Sequence, residues 1–262
     1  MKFLIIGDII GRPGRRALRE LLPALKQELG YDVVIANVEN SAGGFGITEK
    51  VYKELKEIGV DVMTSGNHIW DKKEVFGFID KVPDLLRPAN YPKGVPGKGY
   101  GIYEKGGVKF AVINLMGKVF MDCNLENPFR VFDEIYEEVS KETNIILVDF
   151  HAEATSEKWC FGIYADGKVS VVYGTHTHVP TADEFILKNG TGYVSDVGMT
   201  GVWYSAIGMK PEQAIERILY SLPRRFEVED RGEIVFNAIL VDVDEKTGKT
   251  KGIERIKRFL QV

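Results

Sequence analysis

Along the first 78 residues, short runs rich in Val and Ile alternate with longer stretches whose apolar residues recur every three or four positions. KFLIIG, DVVIANV and VDVMTSG have the length and branched composition of buried strands. RRALRELLPALKQEL and TEKVYKELKEIG each carry an apolar stripe, the mark of an amphipathic helix, and DKKEVFGFI continues the alternation as a third helix. Thr48 stands where the second helix needs an N-cap, and Gly59 where it must end. This βαβαβα opening predicts parallel strands with helices on the sheet faces.

The pattern then changes. GYGIYEKGGVKFAVINL predicts two strands joined by a Gly-containing turn, and NPFRVFDEIYEEVSKE a helix leading into the strand NIILVDF. KVSVVYGTH and TGYVSDVG read as strands, PEQAIERILYSL as a helix, and 234–260 as a closing hairpin that turns at Glu245, Lys246, Thr247 and Gly248. The fold class expected is α/β, a layered αββα arrangement with mixed β-sheets. No internal repeat and no Pro/Ser-rich linker interrupts the chain, so a single domain over 1–262 is expected.

Composition narrows the partners. With 44% hydrophobic and 27% charged residues the chain can bury a sizeable core, and its formal charge of −4 argues against a protein that coats nucleic acid or an anionic membrane. A small phosphate substrate, or the end of a single-stranded RNA, stays open. Cys123 and Cys160 are too far apart for a C-x-x-C pair, no signal-like segment stands at the amino terminus, and the run FLII is too short to span a bilayer. The expectation is a cytoplasmic location with both thiols reduced and no membrane partner, with a homo-oligomer left open.

Chemistry enters through position. All four histidines stand at or just past the ends of apolar runs: His68 after VDVMTSGN, His151 after NIILVDF, His176 and His178 after VSVVYGT. Asp8, Glu39, Asn40 and Asn67 occupy other strand ends. Taken singly each has an ordinary reading. Asp8 could cap a turn, Glu39 and Asn40 could form one, and His176 and His178, two apart, would point to opposite faces of a regular strand. Jointly they change the picture, because ligands collect at the carboxyl ends of strands in an open α/β sheet. Carboxylate, amide and imidazole donors without a thiol suit Mn, Fe, Zn, Co or Ni. Seven candidate ligands, Asp8, Glu39, Asn40, Asn67, His151, His176 and His178, are too many for one zinc and about right for two ions sharing a carboxylate.

Other segments are weaker. Arg12, Arg15 and Arg16 could meet a phosphate at a helix start or form a solvated face. SAGGFGIT lacks the Lys-Ser/Thr end of a P-loop and reads as a loop beside the site. Phe161, Tyr164, Trp203 and Tyr204 could stack a base, although aromatics in a chain of this size more often fill the core.

The order GD, strand-end acid, GNH, strand-end His, GTHTH resembles the calcineurin-like metallophosphoesterases. MKFLIIGDIIGRPGR, NVENSAGGFGIT, TSGNHIWD, DFHAEATSEK, YGTHTHVPTAD and SDVGMTG are similar, over most of the chain, to the YmdB-type branch of bacterial 2′,3′-cyclic-nucleotide phosphodiesterases. Ile10 stands where the wider superfamily has a His, and Glu39-Asn40 where it has GD, departures that the YmdB-type branch shares. The resemblance implies two divalent or mixed-valence metals, iron by that likeness. Asp8, Asn40 and His178 would hold the first, Asn67, His151 and His176 the second, with Glu39 between them. It further implies attack on a small phosphodiester by a hydroxide shared between the metals, with His68 as general acid and Asp71 as its orienter. A 5′-nucleotidase or phosphomonoesterase on the same scaffold, and a metal-binding regulatory or RNA-interacting protein with weak activity, are the rival readings.

Overall fold

The computed structural model describes residues 1–121 and 124–261, so the expectation for Cys123 lies outside the described residues. The chain folds as two mixed six-stranded sheets packed face to face with helices on their outer sides. The elements are β1 (Lys2–Ile9), α1 (Gly11–Leu29), β2 (Val33–Asn37), α2 (Glu49–Ile58), β3 (Val62–Thr64), β4 (Tyr100–Lys105), β5 (Val108–Met116), α3 (Pro128–Val139), β6 (Ile146–His151), α4 (Thr155–Ala165), β7 (Val171–Thr175), β8 (Phe185–Ile186), β9 (Gly192–Val194), β10 (Met199–Val202), α5 (Pro211–Tyr220), β11 (Ile234–Val243) and β12 (Thr250–Leu260). The first sheet runs β12-β11-β10-β1-β2-β3 and the second β4-β5-β6-β7-β9-β8.

Strand periodicity builds the layers. On β1, Phe3 and Ile5 turn between the sheets to meet Phe110, Val112, Leu147 and Val171. Leu4 and Ile6 turn the other way, onto Leu18, Leu22 and Leu55 of α1 and α2. The second sheet does the same with α3 and α4, burying Ile113 and Val148 with Phe132 and Phe161. Each fully buried side chain of this size contributes about 1.5–3 kcal/mol. Thr48 Oγ1 accepts from the Val51 N–H at 3.3 Å, and Gly59 ends α2 at φ 109°, as the sequence predicts.

Two expectations are corrected and one helix is added. DKKEVFGFI forms two short 3-10 turns, Lys73–Gly77 and Ile79–Lys81, because Phe78 leaves helical geometry at φ −133° while Val75, Phe78 and Ile79 still reach the core. TGYVSDVG is not one strand. β9 ends at Val194, and the chain crosses at 195–198 to enter β10 in the other sheet, parallel to β1. The helix α4 does not show in the hydrophobic pattern because its buried face consists of Lys158, Phe161, Gly162 and Ala165, while Ile163 points to solvent.

The parallel register brings the carboxyl ends of five strands to one edge. Asp8 and Asn37 are paired across β1 and β2, Asn37 and Thr64 across β2 and β3, and His151 and Thr175 across β6 and β7.

Candidate metal centre and active site

All seven ligand candidates and His68 gather at that edge. Asp8, Glu39, Asn40, His151 and His178 are buried, whereas Asn67, His68 and His176 are partly exposed. Glu39, Asn40, His68, His176 and His178 line a cleft of about 880 Å³ together with Phe45, Asp71 and Glu153. Gly66 permits the closeness. A Cβ there would lie 2.2 Å from His151 Nε2 and 2.5 Å from Glu39 Oε2.

The two histidines of GTHTH reach one site because the backbone leaves the strand. His176 and His178 have φ of 96° and 65°, a left-handed conformation that costs a non-glycine residue on the order of 1–3 kcal/mol and is found where function demands it. A buried ion pair holds the turn. Lys158 Nζ donates to Asp196 Oδ2 at 2.7 Å and to the Thr175 carbonyl at 2.9 Å, and Asp196 Oδ2 also accepts from the N–H and hydroxyl of Thr177.

Each of the three imidazoles of the cluster has one nitrogen committed to a neighbour, which fixes the other as a lone-pair donor. His178 Nδ1 donates to the Ile207 carbonyl at 2.9 Å, so its Nε2 faces Asp8 Oδ1, 3.9 Å away. His176 Nε2 meets Glu153 Oε2 at 3.1 Å, leaving Nδ1 toward the cluster. His151 Nδ1 lies 2.9 Å from Thr175 Oγ1, whose own proton goes to Asp149 Oδ1 at 2.7 Å. His151 Nε2 is then surrounded by Glu39 Oε1 at 3.0 Å, Asn67 Oδ1 at 3.0 Å and His176 Nδ1 at 3.1 Å.

This convergence fits a cation better than a proton. One N–H on His151 cannot serve three acceptors, and Glu39, His151 and His176 place ligand atoms within 4.8 Å of one another. On the other side, Asp8 Oδ1 and Asn40 Oδ1 are buried with no hydrogen-bond partner. Such an oxygen costs about 1–3 kcal/mol unless something satisfies it. The donors are all nitrogen and oxygen, the chemistry of a first-row transition metal.

The charges are uneven. Burial alone would raise the Glu39 carboxyl, but His151 beside it overrides burial and takes it down to about 2. Asp8, equally buried, has its pKa raised by desolvation. Desolvation and the neighbouring His151 push His176 down to about 3, and it stands neutral. His151 is lowered by burial but raised more by Glu39, reaching about 9 without a metal.

His68 sits apart from the cluster. Its backbone N–H donates to Glu39 Oε2 at 3.0 Å, its ring Nδ1 meets Asp71 Oδ2 at 2.8 Å, and the Phe45 ring packs edge-on against the imidazole with centroids 5.0 Å apart. Asp149, Thr175, Glu153, Lys158 and Asp196 did not stand out as site residues in the sequence. An acid inside the apolar run NIILVDFH and a lysine on the buried face of a helix were the signals available.

Among the weaker candidates, Arg15 joins Glu54 at 2.9 Å and the Ser41 carbonyl, tying α1 to α2, and Arg16 pairs with Glu20. Phe161 is core, Tyr164 bonds Asp133, and Trp203 lies under Lys257 Nζ at 4.2 Å. Cys160 is a free, exposed thiol. No helix among the described residues is long and apolar enough to cross a membrane.

Two facing mixed sheets with imidazole, amide and carboxylate donors at their joint carboxyl edge place the chain in the metallophosphoesterase fold class. A model of the YmdB-like proteins matches residues 4–256. A 2′,3′-cyclic-nucleotide 2′-phosphodiesterase of Bacillus subtilis (strain 168) is 49% identical over 98% of this chain and 96% of its own. The chain belongs to the YmdB-like family. Two solved structures are similar throughout. A hypothetical protein from Thermus thermophilus has a TM-score of 0.92 at 42% identity, covering 99% of each chain. A novel phosphatase from Mycoplasma pneumoniae has a TM-score of 0.93 at 36% identity, covering 100% of this chain and 94% of its own.

Proposed function

We propose that the chain, acting as a single catalytic unit over 1–262, is a metal-dependent phosphodiesterase that opens 2′,3′-cyclic nucleotides. Water adds at phosphorus, the bond to the ribose 2′-oxygen breaks, and a 3′-monophosphate leaves. The observation that carries this reading is the pair of lone-pair clusters meeting at Glu39. Three tautomer-locked imidazoles face carboxylate and amide oxygens, and two of those oxygens lack any partner.

Asp8, Asn40 and His178 would hold one ion, Asn67, His151 and His176 a second, and Glu39 would serve both. Bound there, two transition-metal ions, iron by family likeness or Mn, Zn, Co or Ni by donor chemistry, supply the positive charge that acidifies a water and neutralises phosphoryl oxygens. The chain's own residues do the rest. Thr175 and Asp149 hold His151 in one orientation, and Glu153 does so for His176. Lys158 and Asp196 keep the strained GTHTH turn in place.

His68 is the general acid in this reading. Asp71 occupies its Nδ1, so Nε2 is the nitrogen free to give a proton to the departing 2′-oxygen. A mononucleotide fits within the cleft volume, and an RNA end bearing a cyclic phosphate is the same chemistry on a longer chain. The setting we propose is the cytoplasm, where Cys160 stays reduced.

Turnover of 2′,3′-cAMP, 3′,5′-cAMP and AMP, measured beside the metal content of the same sample, tests the assignment. Preference for the 2′,3′-cyclic diester with about two metals per chain is expected. Equal or faster hydrolysis of AMP would make it a nucleotidase, and bound metal without turnover would make it a regulatory protein. His68→Ala should keep the metals and lower kcat by roughly 10²–10⁴ on the nucleotide. The loss should be much smaller on bis-p-nitrophenyl phosphate, whose leaving group departs without a proton. A loss independent of leaving group would remove His68 from the acid role.

A further inference from the structure

α5 breaks the rule that the other helices follow. α1, α2, α3 and α4 each bury residues in the core, while α5 buries none. Its sequence nonetheless carries a stripe. Ile215, Ile218, Leu219 and, just past its end, Leu222 recur at spacings of three and four, which at 3.6 residues per turn puts them on one face. They are 54%, 79%, 68% and 61% exposed. Ile218 lines the catalytic cleft together with Ala214 and Arg217, whereas Ile215, Leu219 and Leu222 do not, so that outer part of the stripe is not a cleft wall. A helix of ten residues is marginal in water unless an apolar face is covered.

The same surface offers both a ridge and a recess. Between α5 and the returning chain runs a groove of about 590 Å³, lined by Ile218, Leu222, Pro223 and Phe226 among others. A ridge beside a groove of matching chemistry is what a two-fold, self-complementary contact needs. Charge agrees. Glu212 lies in the first turn of α5 and Arg217 in the last, with Arg225 just beyond, while Arg224 pairs with Glu216 of its own chain. Two such helices placed antiparallel set the acidic start of one beside the basic end of the other, with their dipoles opposed. A membrane surface would call for a uniformly basic polar face, and Glu212 and Glu216 spoil it.

We propose that α5 packs antiparallel against α5 of a second copy, Leu219 of each entering the groove of the other, and that the chain is a homodimer through this face. Because Ala214 and Arg217 line the cleft from the same helix, the contact also holds one wall of the site.

Sedimentation equilibrium of the full chain at micromolar concentration tests this without substrate or metal, so its outcome is separate from the assignment of activity. A dimer mass is expected for the wild type. Leu219→Asp and Ile215→Asp should each raise the dissociation constant at least about 100-fold, the scale of losing a central anchor, and Leu219→Met should stay dimeric. Leu219→Cys, in a background carrying Cys123→Ser and Cys160→Ser, should form a disulfide between copies on oxidation, a readout that survives if the Asp variants fold poorly. A monomeric wild type, Asp variants that dimerise like the wild type, or wild-type binding to phosphatidylserine vesicles that Leu219→Asp abolishes would each overturn the proposal.

Discussion

On either side of Glu39 lie two donor clusters of opposite character. Glu39, Asn67 and His176 each touch His151 Nε2 at 3.0–3.1 Å. Asp8, Asn40 and His178 stand apart, with 3.9 Å between imidazole and carboxylate and two buried oxygens unpartnered. The two carboxylates feel this difference directly. Both are fully buried, yet Glu39 falls to about 2 because His151 lies against it, while the pKa of Asp8 rises because burial, helped by the nearby Asp196 and Glu39 carboxylates, outweighs the pull of His178 and His151. Local charge placement, not burial alone, decides which half can stand without a cation. The tight half is held by contacts among the donors themselves. The open half is held by backbone: the Asp8 N–H donates to the Gly198 carbonyl, the Gly11 N–H to the Asn40 carbonyl, and His178 is fixed by Ile207.

The largest expected effect comes from the residue shared by both halves. Glu39→Gln should lower activity by about 10³-fold or more and reduce bound metal below the wild-type value, since a neutral amide cannot supply the charge that two cations require. Metal analysis of Asp8→Ala and His151→Ala alongside it sharpens the comparison: each should lose the ion of its own half and retain much of the other. If either variant loses both metals, the two halves do not act separately.

A smaller effect is expected from the support of the tight half. Thr175→Val removes the hydroxyl between His151 Nδ1 and Asp149 and should weaken metal binding about 10–100-fold, with the fold intact by circular dichroism. The equivalent contact in the open half is a backbone carbonyl, which no side-chain substitution removes. Unchanged affinity in Thr175→Val would show that packing alone orients His151.

The gentlest probe is pH. Without metal, the His151 pKa is raised from 6.5 to about 9, so the folded state holds a proton that the unfolded chain gives up earlier. That contribution to stability is complete below about pH 6.5 and lost as pH rises through about 9. Metal requires the neutral ring, so affinity in the tight half should rise over the same window as a proton is displaced. Titration calorimetry in buffers of differing ionisation enthalpy should detect that proton at pH 7.5, and its absence would mean that Glu39 does not hold His151 charged.

Much of this site could be read from the chain because a strand end is a local feature. Asp8, Glu39, Asn67, His151 and the GTHTH pair each follow an apolar run, and each of those runs folds as a strand. Thr48 and Gly59 were legible for the same reason: capping uses atoms within three or four residues. The residues that tune the site were not. Ile207 and Glu153 meet their histidines 29 and 23 positions along the chain from His178 and His176, with no pattern linking the pairs.

The sequence by itself determined the alternating elements, the edge at which the donors end, and a donor set of nitrogen and oxygen. Only the tertiary structure decided which sheet takes β9 and which takes β10, that His176 and His178 adopt positive φ and so share one site, and which nitrogen of each ring faces the centre. The reason is physical. Periodicity and capping are set by bonds and burial within a few residues, whereas a tautomer, a pKa or a strained turn is fixed by whichever distant group the packing of the two sheets brings within 3 Å.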